Sequence, residues 1–150
     1  MPHFGLILDE LPKDKEALLR AKLHMRGGDM RSERGQYVDA VAAYYDAVSH
    51  AMMHFFLSKS LKRKYNLPEV SDLEDGQSLF KELKRARVID DTISQEDFDW
   101  ICTLLVQAFQ DDINQKSVQK LESILENLMV QLQVLPLDEG ELPEGLSVTL

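Results

Sequence analysis

Apolar residues recur along the chain at offsets of three and four, the spacing that lines one face of an α-helix. No stretch alternates apolar and polar positions between hairpin turns. The pattern predicts an all-α fold, an up-and-down bundle of about five helices. A first helix over about residues 14–25 carries Leu18, Leu19, Ala21 and Met25 on its buried side. The pair Gly27-Gly28 loosens or ends it, because glycine inside a helix costs about 1 kcal/mol relative to alanine. A second helix, about 37–59, places Tyr37, Val41, Tyr44, Tyr45, Val48, Ala51, Met52 and Phe55 on a face wide enough to meet several neighbours. Its small residues Ala40, Ala43 and Ala47 let another helix approach closely.

Asn66-Leu67-Pro68 breaks the chain, since proline disfavours helical geometry in the residue before it. A third helix, about 75–87, buries Leu79, Phe80 and Leu83. Ser94 reads as the cap of a fourth helix reaching about residue 111, with Glu96 and Asp97 opposing the positive end of its dipole. Its buried stripe is Phe98, Ile101, Cys102, Leu105, Ala108 and Phe109, flanked by Trp100. A fifth helix, about 114–135, ends at Pro136. In it Val118, Leu121, Leu125, Leu128, Leu132 and Leu135 follow at steps of 3, 4, 3, 4 and 3, the seam of a coiled coil. Ile124 and Met129 widen that surface, so the seam predicts a homodimer, with one side on the bundle core and the other on a second copy. Residues 1–136 then form the bundle domain and 137–150 a mobile acidic tail.

Charge divides the chain. Residues 1–58 hold 7 Lys+Arg against 8 Asp+Glu, residues 59–87 hold 8 against 5, and residues 88–150 hold 2 against 13. The last part repels a phosphate backbone, so any nucleic-acid contact falls to the first two parts, and the overall acidity disfavours a dedicated nucleic-acid binder. The lone Cys102 cannot form an intrachain disulfide, no apolar run approaches a bilayer span, and no leader pattern is seen at the N-terminus. A reducing, cytoplasmic setting without membrane contact is the expectation.

Gly28, Gly35, Tyr37, Ala40, Tyr44 and Ala47 resemble the small-and-aromatic spacing of a single tetratricopeptide repeat, implying a local helical hairpin. Advancing by that repeat's period of about 34 residues finds no second copy, so no array follows. A broader resemblance rests on Tyr45, Ala47, His50 and Ala51, which read Tyr-x-Ala-x-x-His-Ala. This is similar to the central helix of the HEPN superfamily, helical bundles that partner nucleotidyltransferases or act as toxin ribonucleases. The order of elements over about 14–135 is similar too: a long helix, a small-residue central helix, a basic loop, a short helix ending in Lys84-Arg-Ala-Arg-Val-Ile89, and two amphipathic helices. Catalytic members cleave RNA with an arginine and a histidine about four to six residues apart near the start of the late helix, where the pair stabilises and protonates a phosphoryl-transfer transition state. This chain has no arginine after Arg87 and no histidine after His54. The resemblance therefore implies a non-catalytic member, an accessory partner of a nucleotidyltransferase-like or toxin-like protein.

Other chemistry is sparse. His50 and His54 have the four-residue spacing of a helical metal pair, with Asp46 one turn before, but no third ligand is indicated and Ala51 follows His50. His50 reads as a packing or hydrogen-bonding histidine, and no metal or cofactor is expected. Cys102 sits on an apolar stripe and reads as a core thiol. The basic residues Lys59, Lys62, Arg63, Lys64, Lys81, Lys84, Arg85 and Arg87 could bind phosphate or an acidic partner, or be a solvated loop and helix end. The expectation is a non-enzymatic protein-interaction or adaptor module; the alternative is a nucleotide- or RNA-binding module using residues 59–87.

Overall fold

A computed structural model describes residues 10–110, 113–138, 140 and 142. Among these residues there are helices and no strands: α1 (Lys13–Glu33), α2 (Tyr37–Leu57), α3 (Lys59–Tyr65), α4 (Gly76–Arg85), α5 (Gln95–Gln110) and α6 (Gln115–Gln131). The molecule is an all-α bundle. Every substantial helix–helix contact includes α2, the largest being with α1, and the others with α3, α4, α5 and α6.

This central place follows from the residues of α2. Ala40, Ala47, Ala51, Tyr44, Val48 and Phe55 are fully buried, so its small positions admit close neighbours while its large ones fill the gaps between them. The α1–α2 hairpin turns at residues 34–36, where Gly35 takes a left-handed φ of 75°.

Gly27 and Gly28 do not end α1, which runs a further turn and more to Glu33. Both are buried, and a Cβ at Gly28 would lie 2.6 Å from the Tyr44 ring. The local helical cost of glycine is offset by this approach of two backbones. Ala17, Ala21, Met25 and Gly28 make the inner stripe of α1, and the expected Leu18 and Leu19 are only half-buried beside it.

The basic stretch after α2 is not a loop. Ser58 is extended at φ −84°, ψ 117°, and its Oγ accepts the Leu61 N–H at 3.2 Å, which starts the short α3 one residue beyond the end of α2. Further along, Asp75 caps α4 by accepting from the Ser78 N–H at 3.2 Å. Ser94 and Asp97 form a reciprocal box at the start of α5, with bonds of 3.0 and 2.9 Å. Phe80 stacks on Phe98 at 4.5 Å between ring centroids and joins α4 to α5.

Two expectations about apolar faces are corrected. Along α5 the buried line is Phe98, Ile101, Leu104 and Ala108, so Phe109, one residue and about 100° further round, points outward and is 76% exposed. Along α6, Val118, Leu121, Leu125, Leu128 and Leu132 are at most 1% exposed within the single chain. The heptad-like seam is filled by this chain's own core, and these five residues offer no surface to a second copy. Leu135 is not on the helix at all: Gln133 turns left-handed at φ 68°, and the N–H groups of Val134 and Leu135 fold back to the Met129 carbonyl at 2.8 and 3.1 Å. Of the expected tail, Leu137 packs on the core and Leu142 is buried beside Leu23. Residues 139, 141 and 143–150 lie outside the described residues.

The Gly28 contact sets a test. Alanine at 28 gains about 1 kcal/mol of helix propensity, but it overpacks a fully buried ring, which costs about 1–3 kcal/mol. Gly28→Ala is expected to lower stability in urea by about 1 kcal/mol, and Gly28→Leu by more. Gly76→Ala is the control: its Cβ meets nothing closer than 3.4 Å, so its stability should stay within about 0.5 kcal/mol of the native chain.

Candidate functional site

The basic residues divide once their partners are known. Lys62 pairs with Glu69. Lys84 donates through Nζ to the carbonyls of Asp90 and Ile93 at 2.9 and 2.6 Å, closing the turn before α5. Arg85 pairs with Glu82 at 2.7 Å, and Arg87 reaches both oxygens of Asp91 at 3.1 and 3.2 Å. Lys59, Arg63, Lys64 and Lys81 are exposed, Lys64 lying over its neighbour Tyr65 at 5.3 Å. Half of the predicted cationic set is therefore already paired within the chain. The rest sit on α3 and α4, which both pack on α2.

The residues that carry the HEPN-like pattern point in different directions. Ala47 and Ala51 are buried where helices close. Tyr45 is half-buried beside Cys102, and burial, with the thiol next, raises its hydroxyl above the ordinary value. Burial likewise pushes the Cys102 thiol up, with Asp99 adding to it and the hydrogen bond with Tyr45 acting the other way, the opposite direction to that of an activated nucleophile. His50 bonds through Nδ1 to the Asp46 carbonyl at 2.8 Å, so its partner is the backbone and not the carboxylate. His54 bonds to the Asp14 carbonyl at 2.8 Å and tethers the end of α2 to the start of α1. The two imidazoles hold separate backbone groups, and among the described residues no group of three or more His, Cys, Asp or Glu is placed to hold a metal ion.

The feature that the sequence did not announce is a cavity of about 430 Å³ between α1, α2 and α6. Met25, Leu125 and Leu135 give it apolar wall; Asp29, Glu122 and Glu126 give it acid. On its lining the Tyr44 hydroxyl lies 2.6 Å from Asp29 Oδ1 and 2.7 Å from Glu122 Oε2. Burial first, and then these two hydrogen bonds, push the phenol pKa far upward, so the hydroxyl keeps its proton. Asp29 is raised as well, by burial of its carboxyl against the phenol and by the negative charges of Glu122 and Glu33, while the bond to Tyr44 acts the other way. A signal was available: a tyrosine in the middle of a central helix needs a partner for its hydroxyl. Nothing local in the sequence says that the partners are residues 29 and 122.

Elsewhere on the α1–α2 hairpin, His24 of α1 stacks on His50 of α2 at 5.4 Å. It is buried, and its Nδ1 has no hydrogen-bond partner among the described residues. Burial, then the charges of His50, Arg20 and Arg31, lower its pKa from 6.5 to about 4. The unfolded chain therefore takes up a proton near pH 6.5 that the folded chain refuses until about pH 4. The stability tied to this group is complete above the higher value and is lost as pH falls toward the lower one. Urea unfolding of the native chain and of His24→Phe at a series of pH values should diverge by up to about 3 kcal/mol, the native chain weakening on acidification. Parallel curves would show that His24 is not the neutral group described.

No helix among the described residues is long and apolar enough to cross a membrane. Comparison with protein families, with curated proteins and with solved structures finds no match to this chain.

Proposed function

We propose that this chain is a non-enzymatic protein-interaction module, an adaptor whose partner docks on the outer face of α5. The observation that carries this reading is the outward pair Val106 and Phe109, 55% and 76% exposed and three residues apart on one helix face. Leu105, half-buried, adjoins them one turn before Phe109. An aromatic ring left in water while the core of the same helix is closed supports a surface kept for another protein.

The charge around it supports a particular kind of partner. The pair lies in the part of the chain that holds 2 Lys+Arg against 13 Asp+Glu, with the neutral Thr103, Gln107 and Gln110 exposed beside it on α5, so the partner that fits is one with an apolar socket and a net positive charge. A second copy would bring two strongly acidic stretches of chain together, and the α6 seam that suggested a homodimer is occupied by the core. The reading therefore favours a different protein over self-association. The HEPN resemblance adds a partner class, a nucleotidyltransferase-like or toxin-like protein, and the missing late arginine–histidine pair fits a non-catalytic member. The alternative, phosphate binding through residues 59–87, retains the exposed Lys59, Arg63, Lys64 and Lys81.

The test compares the native chain with Phe109→Lys. A partner captured by the native chain, purified and titrated back, should bind Phe109→Lys at least about tenfold more weakly, as loss of a central aromatic anchor requires. Equal binding to both would refute the α5 surface. Sedimentation of the native chain alone should give one species near 17.2 kDa; a stable dimer would return the proposal to self-association. Labelled single-stranded RNA supplies the contrast. Binding whose salt dependence is flattened by replacing Lys62, Arg63 and Lys64 with alanine would move the function to the basic segment.

A further inference from the structure

We propose that one proton shared among Asp29, Tyr44 and Glu122 fastens α6 to the α1–α2 hairpin, so that the docking of α6 loosens as pH rises. The argument is a count of hydrogens. The phenol oxygen lies within hydrogen-bond distance of two carboxyl oxygens, at 2.6 and 2.7 Å, and carries a single hydrogen. It donates to one carboxylate. The other contact is attractive only if that carboxyl brings a hydrogen of its own and donates it to the phenol oxygen. With both carboxyls ionised, three oxygens converge on one hydrogen, and the two negative charges face each other across it.

The geometry does not let the phenol escape this shortage. Tyr44 is fully buried, and its ring occupies the space a side chain at Gly28 would need, so the ring is held between two backbones. Relief must come from α6 moving away or from a proton. The charges acting on Asp29 from its surroundings point the same way: Glu33 of its own helix and Glu122 of α6 both oppose its ionisation, and Glu126 of α6 lines the same cavity. Asp29 as a residue keeps contact with solvent while the carboxyl oxygen that meets the phenol is part-buried, so the proton exchanges with bulk water without the core opening.

The sign of the effect follows from linkage. A carboxyl that holds its proton more tightly when folded gives the folded chain more bound protons than the unfolded one just above the ordinary carboxylate range. Stability from this contact is therefore present at low pH and is lost as pH rises through the raised value. Asparagine at 29 supplies the missing hydrogen permanently, through Nδ2 to the phenol oxygen, while the phenol donates to Glu122.

Amide hydrogen exchange tests this, with native and Asp29→Asn chains compared at each pH so that the chemical exchange rate cancels. The ratio of native to variant rates for α6 amides should be near one at about pH 4 and grow several-fold by about pH 8, with α5 unaffected. In Tyr44→Phe, where no bridge remains, adding Asp29→Asn should leave the α6 rates without this pH trend. A ratio that stays within about twofold across the range, or rises equally in α5, overturns the proposal. Glu122→Gln supplies the hydrogen from the other side if Asp29→Asn does not fold. Carboxyl carbon-13 titration of the native chain needs no variant: the Asp29 carboxyl should titrate above the ordinary carboxylate range, an elevation that Tyr44→Phe changes, and an ordinary Asp29 titration would refute the shared proton.

Discussion

The structure turns on the distance between α1 and α2. Their backbones meet at Gly28, where the ring of Tyr44 fills the volume of the absent side chain. That approach fixes the register of the hairpin. With Gly28 opposite Tyr44, His24 falls on His50 and Asp14 reaches His54, each pair stepping along an antiparallel interface. It also fixes where the Tyr44 hydroxyl emerges, and so where α6 must bring Glu122. The remaining helices are arranged around α2, and α2 is set by this contact.

The same contact explains why polar chemistry lies so near the middle of the bundle. A phenylalanine at 44 would fill the space equally well but would leave the cavity edge without a donor. The tyrosine carries a polar group from the hairpin out to α6 and makes a specific join, in place of a greasy one, between elements far apart in sequence. Such joins select one arrangement among several compact ones, because a shifted helix leaves the buried hydroxyl without its partners.

Much of the fold was legible because helices announce themselves by period. Leu79, Phe80 and Leu83 on α4, and Val118 to Leu132 on α6, are buried where the spacing puts them. The errors fall where one residue has to report on a partner it does not touch in sequence. Gly28 reads as a helix breaker unless the ring opposite is known. Phe109 reads as core because it is large, although it lies off the line through Phe98, Ile101, Leu104 and Ala108. The short α3 was hidden because Ser58, its cap, sits inside what reads as one continuous helix. The candidate site was less legible still: Asp29 and Glu122 are ordinary surface acids until the hairpin and α6 bring them to one hydroxyl.

Helix ends show another limit and carry a consequence of their own. Left-handed residues close α1 at Gly35, α3 at Asn66, α4 just before Val88 at Arg87, and α6 at Gln133. In each case the next N–H returns to a carbonyl five residues back: Gln36 to Arg31, Leu67 to Lys62, Val88 to Leu83 and Val134 to Met129. Only the first of these uses glycine, the residue for which this conformation is least costly. Leu67, Val88 and Val134 are all buried immediately after their turns. The last three connections are thus each held by a side chain anchored in the core, and at Arg87 and Gln133 this works against the preference of the left-handed residue before it, whereas Asn66 tolerates that conformation. The segments that follow α3, α4 and α6 are therefore parts of the same cooperative unit as those helices, and an insertion at residues 66, 87 or 133 would disturb the interior as directly as a substitution in the core.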